Sequence, residues 1–446
     1  MLPEYTRKTK RIFIDITQTY HNYINTGIQR VAKNVAERMQ NIAVETDIES
    51  WPVVNYLDSF YIINLQEYKK RFTYKLTIFL KTLYNKFKTF VRRYPSFHFL
   101  LKIIFPCFIR ARLISSYNKF INMLNFWCSS SAQLRFSESD VLLLVEAGWV
   151  SPCWKAIKKA KRKGAKIVQI IHDLIPIKYP ELVNSESTYL FDIWLSKTIK
   201  YVDSYVCNSR YTCEELKMYM GCTMGINISK YRFDYFDLGC DVKNMDEAGF
   251  VRPKLENIIA KPTNSAGYLC VGTIEPRKNQ MYLLDAFERV WDQNRMVRLF
   301  IVGREGWKGR DIINRIKKHP MLNKSLFMFN DLSDTELDFL YRRCKALIFP
   351  TIAEGFGLPI VEALSKRLPV LASDIEVLRE VGKDFCAYFN LEQSESLATM
   401  ILDIETRNKW PIVRNINEFK ATTWRESCEQ LVGKILQIFQ EQHVGK

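Results

Sequence analysis

The sequence of 446 residues contains a long stretch without acidic side chains. No Asp or Glu stands between Glu67 and Glu138, whereas fourteen Lys and Arg residues do, and these account for most of the net charge of +17. Aromatic and aliphatic residues lie among the cations, a pattern typical of segments that bind anionic membrane surfaces. We therefore predict that a basic insert, at about residues 68–136, binds an anionic membrane surface. The alternatives are a solvated charged face and a nucleic-acid patch, but no recognised nucleic-acid motif accompanies the charge.

Other features that the sequence lacks exclude further classes of protein. No stretch reaches the roughly 18 uncharged apolar residues of a membrane-spanning helix, and the most apolar candidate, residues 97–109, contains Lys102. The first residues lack the apolar region of a secretory signal, so we expect a cytoplasmic protein, peripheral on the inner face of the cytoplasmic membrane. The 11 cysteines include no Cys-x-x-Cys pair, which argues against a disulfide framework or a zinc site.

Apolar runs alternate with helical patterns on both sides of the basic insert, and the length of the chain suits two domains. A strand at residues 11–16 and a helix at residues 28–39 open the first half, and Tyr268-Leu-Cys-Val271 opens the second. Strands that alternate with helices in this way form parallel sheets, which bind ligands beyond the carboxyl ends of their strands. We predict an α/β fold with two doubly wound, Rossmann-like domains. Gly27, His172 and Ser209 stand at strand ends of this kind.

A stretch containing Pro253 and Pro262 separates the two halves and sets the predicted domain boundaries. These are an N-terminal domain at residues 1–242, a linker at residues 243–267, a C-terminal domain at residues 268–422 and a C-terminal helix at residues 423–446. The last strand of the first half is predicted at residues 235–238.

The segment Glu354-Gly-Phe-Gly-Leu-Pro-Ile-Val-Glu362 contains two carboxylates on either side of a predicted helix start. Pro359 favours the first turn of a helix, so we expect Glu354 in the preceding loop and Glu362 in the first helical turn. A helix N-terminus binds phosphate, and flanking carboxylates could bind the hydroxyls of a nucleotide sugar. The alternative is that Glu362 only complements the helix dipole and Glu354 is a solvated loop residue.

Arg277 and Lys278 follow the predicted strand at residues 268–271 and carry the cations that a diphosphate requires. The alternative is that they are ordinary surface cations that bind no ligand. The sequence has no Asp-x-Asp motif that could hold a divalent metal, so we predict a site without metal or other cofactor.

Several motifs in order resemble the retaining, family 4 (glycosyltransferase group 1) type of glycosyltransferase. They are Val271-Gly-Thr-Ile-Glu-Pro-Arg-Lys-Asn279, Leu299-Phe-Ile-Val-Gly303, Ala346-Leu-Ile-Phe-Pro350, the Glu354–Glu362 segment and Leu368-Pro-Val-Leu-Ala-Ser-Asp374. Asn25-Thr-Gly-Ile-Gln-Arg30, His172-Asp-Leu-Ile-Pro176 and Gly303-Arg-Glu-Gly-Trp307 resemble bacterial mannosyl- and rhamnosyltransferases of O-antigen and polysaccharide synthesis. One position departs from the family, because Arg367 stands where Gly is common before Leu-Pro-Val.

This resemblance implies the GT-B architecture, two Rossmann-like domains facing across a cleft, and assigns roles to individual residues. The catalytic residues would be His172, Asp173 and Glu354. The donor diphosphate would contact Arg277, Lys278, Gly27, Gly272, Phe356, Gly357 and Leu358. The ribose and base would contact Glu362, Asn330, Asp331 and Leu332. His172 beside Asp173 also fits a purely structural hydrogen-bonded pair.

The resemblance also implies the reaction and its participants. The donor would be GDP-mannose or dTDP-rhamnose, the acceptor a growing glycan or a polyprenyl-linked or other lipid-linked saccharide, and the anomeric configuration would be retained. The alternatives are a glucan synthase-like or phosphorylase-like GT-B enzyme and a catalytically inactive scaffold subunit. No pyridoxal lysine identifies a phosphorylase. The base, the sugar, the acceptor and the oligomeric state do not follow from the sequence.

Overall fold

The computed structural model describes residues 10–21, 27–45, 48–64, 130–241, 250–260 and 267–440. Outside these residues lie most of the basic insert, parts of the linker, and Asn25 and Thr26 of the motif at residues 25–30. The chain divides into two compact units, residues 1–169 and residues 170–446, which are described separately. The domain boundaries drawn from the sequence stay a prediction.

The first unit contains a mixed sheet whose order is β4-β3-β2-β1-β5-β6. Its strands are β1 (Lys10–Asp15), β2 (Ile48–Tyr56), β3 (Ser59–Ile63), β4 (Ser130–Gln133), β5 (Asp140–Leu144) and β6 (Lys166–Ile171), the last of which ends in the second unit. Its helices are α1 (Thr17–His21), α2 (Gly27–Glu45) and α3 (Trp154–Arg162). Strands β2, β1, β5 and β6 are parallel, whereas β3 is antiparallel to both β2 and β4. Residues of β1 and β5 are buried because the central strands of a parallel sheet are covered on both faces.

The hairpin of β2 and β3 was not predicted from the sequence. Pro52 lies within β2, and a proline argues against a central strand because it cannot donate to the sheet. Leu57 and Asp58 join the strands with φ angles of 46° and 57°. Two successive positive φ angles are those of a type I′ turn, which normally uses Asn or Gly, so the usual turn residues are missing here.

The second unit begins with the last residues of β6 and a parallel strand pair. Its first elements are α4 (Ile175–Lys178), α5 (Ser185–Thr198), β7 (Ser204–Cys207), α6 (Arg210–Met218) and β8 (Arg232–Tyr235). The backbone N–H of Asn208 donates to the carbonyl of Ile171. The predicted strand at residues 235–238 was wrong, because β8 ends at Tyr235. Phe236 and Leu238 suggested a strand, but they are buried in the extended chain that follows it.

A six-stranded parallel sheet forms the rest of the second unit, in the order β11-β10-β9-β12-β13-β14. The strands are β9 (Tyr268–Val271), β10 (Leu299–Val302), β11 (Leu326–Phe329), β12 (Ala346–Phe349), β13 (Val370–Ser373) and β14 (Cys386–Phe389). The helices are α7 (Pro253–Ala260), α8 (Gln280–Gln293), α9 (Arg310–Lys318), α10 (Asp334–Arg343), α11 (Leu358–Ser365), α12 (Glu376–Gly382), α13 (Ser394–Arg407) and α14 (Trp424–Gln440). Apolar clusters cover both faces of the sheet.

The final helix, α14, returns to β8. Lys434 forms an ion pair of 2.9 Å with Asp234, and the backbone N–H of Trp424 donates to Asp241 over 3.1 Å. A side chain at Gly239 would collide with the backbone of Trp424, so close packing requires glycine there. The helix predicted at residues 423–446 is present from Trp424 to Gln440, and residues 441–446 lie outside the described residues.

None of the helices in the described ranges is long and apolar enough to cross a membrane.

Candidate functional site

The order of the six-stranded sheet identifies its ligand-binding edge. From β9 the chain continues outward to β10 and β11 on one side, and then returns to β12 on the other side of β9. This reversal is the topological switch point, and the crevice at the carboxyl ends of the two strands is where open α/β sheets bind ligands. Arg277 and Lys278 follow β9, and Glu354 follows β12. The sheet therefore brings these three residues to the same crevice.

Arg277, Lys278 and Glu354 form one buried ionic cluster. Arg277 Nη1 lies 2.9 Å from Oε1 of Glu354, and Lys278 Nζ contacts the same oxygen. Thr351 donates to this oxygen over 2.9 Å, and Glu275 Oε1 lies 2.8 Å from Arg277 Nη2. The side chains of Lys278 and Glu354 are each 11% exposed. Two cations are thus held in fixed positions at the switch point.

The pKa values follow from burial and charge in this cluster. Burial alone would raise the pKa of Glu354, but Arg277, Lys278 and Thr351 lower it to about 2. Burial would lower the pKa of Arg277, but Glu354 and Glu275 hold it above its usual value. Burial lowers the pKa of Lys278 although Glu354 opposes the shift. Glu354 is therefore ionised at neutral pH, and Arg277 is a permanent cation.

The loop between Glu354 and α11 depends on glycine at two positions. Gly357 is the residue before α11 and has a φ angle of 103°, which an L side chain rarely adopts. A side chain at Gly355 would collide with the carbonyl oxygen of His172. Glu354 lies in the loop as predicted, but the first-turn position predicted for Glu362 was wrong. Helix α11 begins at Leu358, with Pro359 second, so Glu362 is its fifth residue and lies in the second turn.

His172 and Asp173 directly follow β6, and the contact with Gly355 brings them to the loop of Glu354. His172 is buried, and Oδ1 of Asp173 accepts the backbone N–H of Ile175 at the start of α4, over 3.0 Å. Burial raises the pKa of Asp173, and the positive charge of Arg277 only partly opposes this shift. Asp173 thus binds a proton more readily than Glu354 does.

Glu362 is buried in α11, where its Oε2 accepts a hydrogen bond of 2.8 Å from the hydroxyl of Tyr341 in α10. Phe356 and Leu358, on either side of Gly357, are also buried. A Cβ atom at Gly272, which follows β9, would come within 3.3 Å of Lys278 Cε. The donor contacts of these residues stay predictions. Gly27 is the first residue of α2 in the first unit, and its role also stays a prediction.

The predicted base-reading turn follows β11. Asn330 and Asp331 are exposed and Leu332 is half-buried. Arg252 donates to Asp331 over 2.8 Å and to Glu336 over 2.5 Å, and its hydrogen bond lowers the pKa of Asp331. The structure therefore shows how Asp331 is oriented by a cation, which the sequence did not indicate.

Arg367, the residue that departs from the family pattern, ends α11 in a Schellman motif. Its φ angle is 61°, its N–H donates to the carbonyl of Leu364, and the N–H of Leu368 donates to that of Ala363. The guanidinium of Arg367 donates to the carbonyls of Ile416 and Phe419 over 2.9 Å each. These contacts offset the cost of a left-handed conformation for a residue other than glycine.

An open pocket of about 430 Å³, counting its solvent-filled mouth, adjoins the cluster. Asp173, Lys178, Tyr211, Glu354 and Glu376 are among its lining residues. The predicted catalytic residues Asp173 and Glu354 therefore border the same pocket.

Sequence reasoning missed several polar residues of the site. Ser209 and Thr212, at the start of α6, contact the carbonyl of Gly355, Thr351 contacts Glu354, and Tyr341 contacts Glu362. The sequence identifies Ser209 only as a residue at a strand end. Most of these contacts join distant parts of the chain, so no local pattern indicates them.

Within the part of the chain that the structure describes, no three His, Cys, Asp or Glu side chains form a group that could hold a metal ion. Metal independence stays a prediction.

Two family models match the chain. The model described as "Glycosyl transferases group 1" matches residues 251–416, and the model described as "Glycosyltransferase Family 4" matches residues 70–224. The first of these covers the six-stranded sheet up to β14, with Arg277, Lys278, Glu354 and Glu362. The second covers most of the basic insert together with His172 and Asp173.

Curated relatives include mannosyltransferases of bacterial surface polysaccharides. The chain is 32% identical over 304 residues to the serotype-specific mannosyltransferase WbdA of Escherichia coli, a match covering 67% of this chain and 37% of the relative. It therefore spans little more than a third of that protein. It is 25% identical over 269 residues to the O-antigen chain mannosyltransferase RfbU of Salmonella typhimurium strain LT2, covering 60% of this chain and 68% of the relative.

Solved structures identify the fold. Sucrose-phosphate synthase from Thermosynechococcus elongatus matches with a TM-score of 0.56 and 15% identity, over 98% of this chain and all of that one. The predicted fold class is confirmed, since the structural neighbours are GT-B glycosyltransferases. The chain thus contains a glycosyl transferases group 1 domain and a glycosyltransferase family 4 domain, and it has the GT-B fold of these enzymes.

Proposed function

We propose that this protein transfers a hexose from a nucleoside diphosphate to a lipid-linked or growing surface glycan, with retention of configuration and without a metal ion. Mannose from GDP-mannose is the first choice of donor and rhamnose from dTDP-rhamnose the second. The observation that carries the proposal is the cluster of Arg277, Lys278 and Glu354 at the switch point of the sheet.

The two cations suit a departing diphosphate. Breaking the sugar–phosphate bond leaves additional negative charge on the phosphate, and catalysis requires groups that are already oriented toward it. Arg277 offers a planar fork and Lys278 a point charge, and Glu354 and Glu275 hold both in place. The N-terminus of α11 adds backbone N–H groups after Gly357. Charge neutralisation can thus come from the protein itself.

Glu354 has one oxygen directed to the cations and one suited to the sugar. Among the described residues, Arg277, Lys278 and Thr351 all contact Oε1. Oε2 is therefore the atom that would accept a hydrogen bond from a hydroxyl of the transferred sugar. In this arrangement a single carboxylate links the position of the sugar to that of the diphosphate.

Retention would follow from front-face substitution, in which the leaving phosphate assists the incoming acceptor hydroxyl. His172 and Asp173 would line the sugar on the side of β6, and Glu362 would bind the ribose. No residue is assigned the role of a covalent nucleophile. Asp173, whose pKa is raised by burial, could donate a hydrogen bond to a sugar oxygen when protonated.

The printed functions of the relatives support mannose and a surface glycan, since both are mannosyltransferases and one acts on the O-antigen chain. The acid-free sequence between Glu67 and Glu138 supports a place on the anionic inner face of the cytoplasmic membrane, where a lipid-linked acceptor is found.

Calorimetric titration with GDP, UDP, dTDP and CMP tests the donor site. We expect GDP to bind, and dTDP if the sugar is rhamnose. Arg277→Ala removes a charged hydrogen-bonding group worth about 1.5 to 3 kcal/mol, so it should weaken binding by about 10- to 150-fold. Glu362→Ala should weaken it within the same range.

Arg407→Ala is the control, because Arg407 is an exposed residue of α13 that pairs with Asp403 on the same helix. Equal affinity of folded wild type and Arg277→Ala for every nucleotide that binds would show that the donor site is elsewhere. Binding of UDP alone would favour a glucan synthase-like enzyme.

A further inference from the structure

Two buried hydroxyl groups lie beneath the loop that carries Glu354. Ser209 Oγ donates to the carbonyl of Gly355 over 2.7 Å, and Thr212 Oγ1 donates to the same carbonyl over 3.2 Å. The two side chains are 0% and 2% exposed, and their oxygens are 2.9 Å apart. The carbonyl of Gly355, the residue that directly follows Glu354, is therefore fixed by α6, which lies more than 140 residues earlier in the chain.

The start of α6 is itself firmly held. Ser209 is the N-cap and accepts the N–H of Thr212, and the carboxylate of Glu380 accepts the N–H groups of Arg210 and Tyr211, each over 2.8 Å. These bonds satisfy the first N–H groups of the helix, so the N-terminus of α6 is an anchor for the loop and not an anion site.

Gly355 also determines where the loop lies relative to His172. The Cα atom of Gly355 packs against the carbonyl of His172, so closely that no Cβ atom fits between them. The hydroxyls of Ser209 and Thr212 hold the Gly355 carbonyl, and the carbonyl of His172 lies against the Cα atom. A shift of Gly355 would carry the neighbouring Glu354 with it and so move its carboxylate relative to both His172 and Lys278.

We propose that Ser209 and Thr212 are positioning residues for the proposed transfer reaction, acting through the carbonyl of Gly355 to set the orientation of Glu354. This inference rests on the proposed function, in which Glu354 binds the transferred sugar. A reacting group displaced by about 1 Å can cost about 100-fold in rate, so loss of this support should lower kcat by a larger factor than it weakens nucleotide binding.

Two substitutions remove the hydroxyls with little change elsewhere. Ser209→Gly removes the donor but keeps a residue that is tolerated at an N-cap. Thr212→Val removes the second hydroxyl and keeps the branched shape. Thr212→Ser does the reverse, because it keeps the hydroxyl and removes the methyl group. Thr198→Val is the matched control, because Thr198 is a fully buried residue of the same unit whose hydroxyl donates to the carbonyl of Leu195 over 2.6 Å.

Steady-state kinetics of these variants test the inference, with nucleotide affinity measured by calorimetry. We expect kcat to fall about 10- to 100-fold in Ser209→Gly and less in Thr212→Val, with a smaller fold change in nucleotide Kd. Thr212→Ser and Thr198→Val should both keep a kcat close to that of the wild type.

A double-mutant cycle with Glu354→Gln separates positioning from a general loss of structure. If Ser209 acts through Glu354, then Ser209→Gly should lower kcat much less in the Glu354→Gln background than in the wild type. Equal fold losses in both backgrounds, or an unchanged kcat in Ser209→Gly, would overturn the inference. A wild type that binds no nucleotide and transfers no sugar would instead contradict the proposed function.

Discussion

Replacing Glu354 with Gln should make the free energy of unfolding vary less with pH in the acid range. The pKa of Glu354 is lowered from its usual 4.5 to about 2 because Arg277 and Lys278 surround it. A difference of about 2.5 pKa units at about 1.36 kcal/mol each corresponds to about 3 kcal/mol. The side chain is 11% exposed, so solvent screens this interaction little.

The sign follows from the direction of the shift. A carboxylate whose pKa is lower in the folded state stabilises the protein above the unfolded pKa of 4.5, and this stabilisation is lost as the pH falls through about 2. Glu354→Gln should therefore lower the free energy of unfolding by about 3 kcal/mol at pH 7. At pH 3.5 the same linkage gives a difference of about 2 kcal/mol.

Guanidinium unfolding followed by tryptophan fluorescence at the two pH values measures both quantities. Glu418→Gln is the control, because Glu418 is a surface residue whose pair with Arg414 should contribute at most about 1 kcal/mol. Equal stability of Glu354→Gln and wild type at pH 7, or a loss that grows as the pH falls, would refute the electrostatic account of the cluster.

Three further perturbations test other parts of the structure. Gly355→Ala should abolish transfer because its methyl group collides with the carbonyl of His172. The control is Gly433→Ala, in an open part of α14, which should remain active and be more stable by about 0.5 to 1 kcal/mol. A Gly355→Ala variant that still transfers sugar would contradict the close packing of Gly355 against His172. Arg367→Gly should be about 1 kcal/mol more stable than Arg367→Ala in denaturant unfolding, since only glycine avoids the left-handed strain; equal stabilities would show that no strain is present. In liposome co-sedimentation, changing six cations of the basic insert to Gln should reduce binding to anionic vesicles and leave binding to neutral vesicles unchanged. If the variant and the wild type sediment equally with anionic vesicles, the electrostatic role is refuted. The six are Lys69, Lys70, Arg71, Lys75, Arg92 and Arg93.

The meeting of Arg277, Lys278 and Glu354 could be anticipated in outline from the sequence. Each follows a short apolar strand, and the carboxyl ends of parallel strands lie at one edge of the sheet. The order of the strands does not follow from their sequences, so only the structure shows that β9 and β12 are neighbours and that the three side chains share an oxygen.

Local patterns were less reliable where backbone geometry depends on distant contacts. The helix start at Leu358 is set by the left-handed Gly357, which moved Glu362 from the first turn to the second. The turn at Leu57 and Asp58 has no glycine or asparagine to indicate it. The support that Ser209 gives to Gly355 joins residues 146 positions apart and has no sequence signature.

The most direct test of the central claim is a transfer assay with GDP-mannose and dTDP-rhamnose, in excess EDTA, with membrane lipid-linked glycans as acceptors. The proposal predicts release of nucleoside diphosphate and a new glycosidic bond with the donor's anomeric configuration, as read by NMR, and it predicts that Arg277→Ala loses this activity. An inverted product, or turnover that disappears in EDTA and returns with magnesium or manganese, would contradict a metal-independent retaining reaction supported by the Arg277, Lys278 and Glu354 cluster.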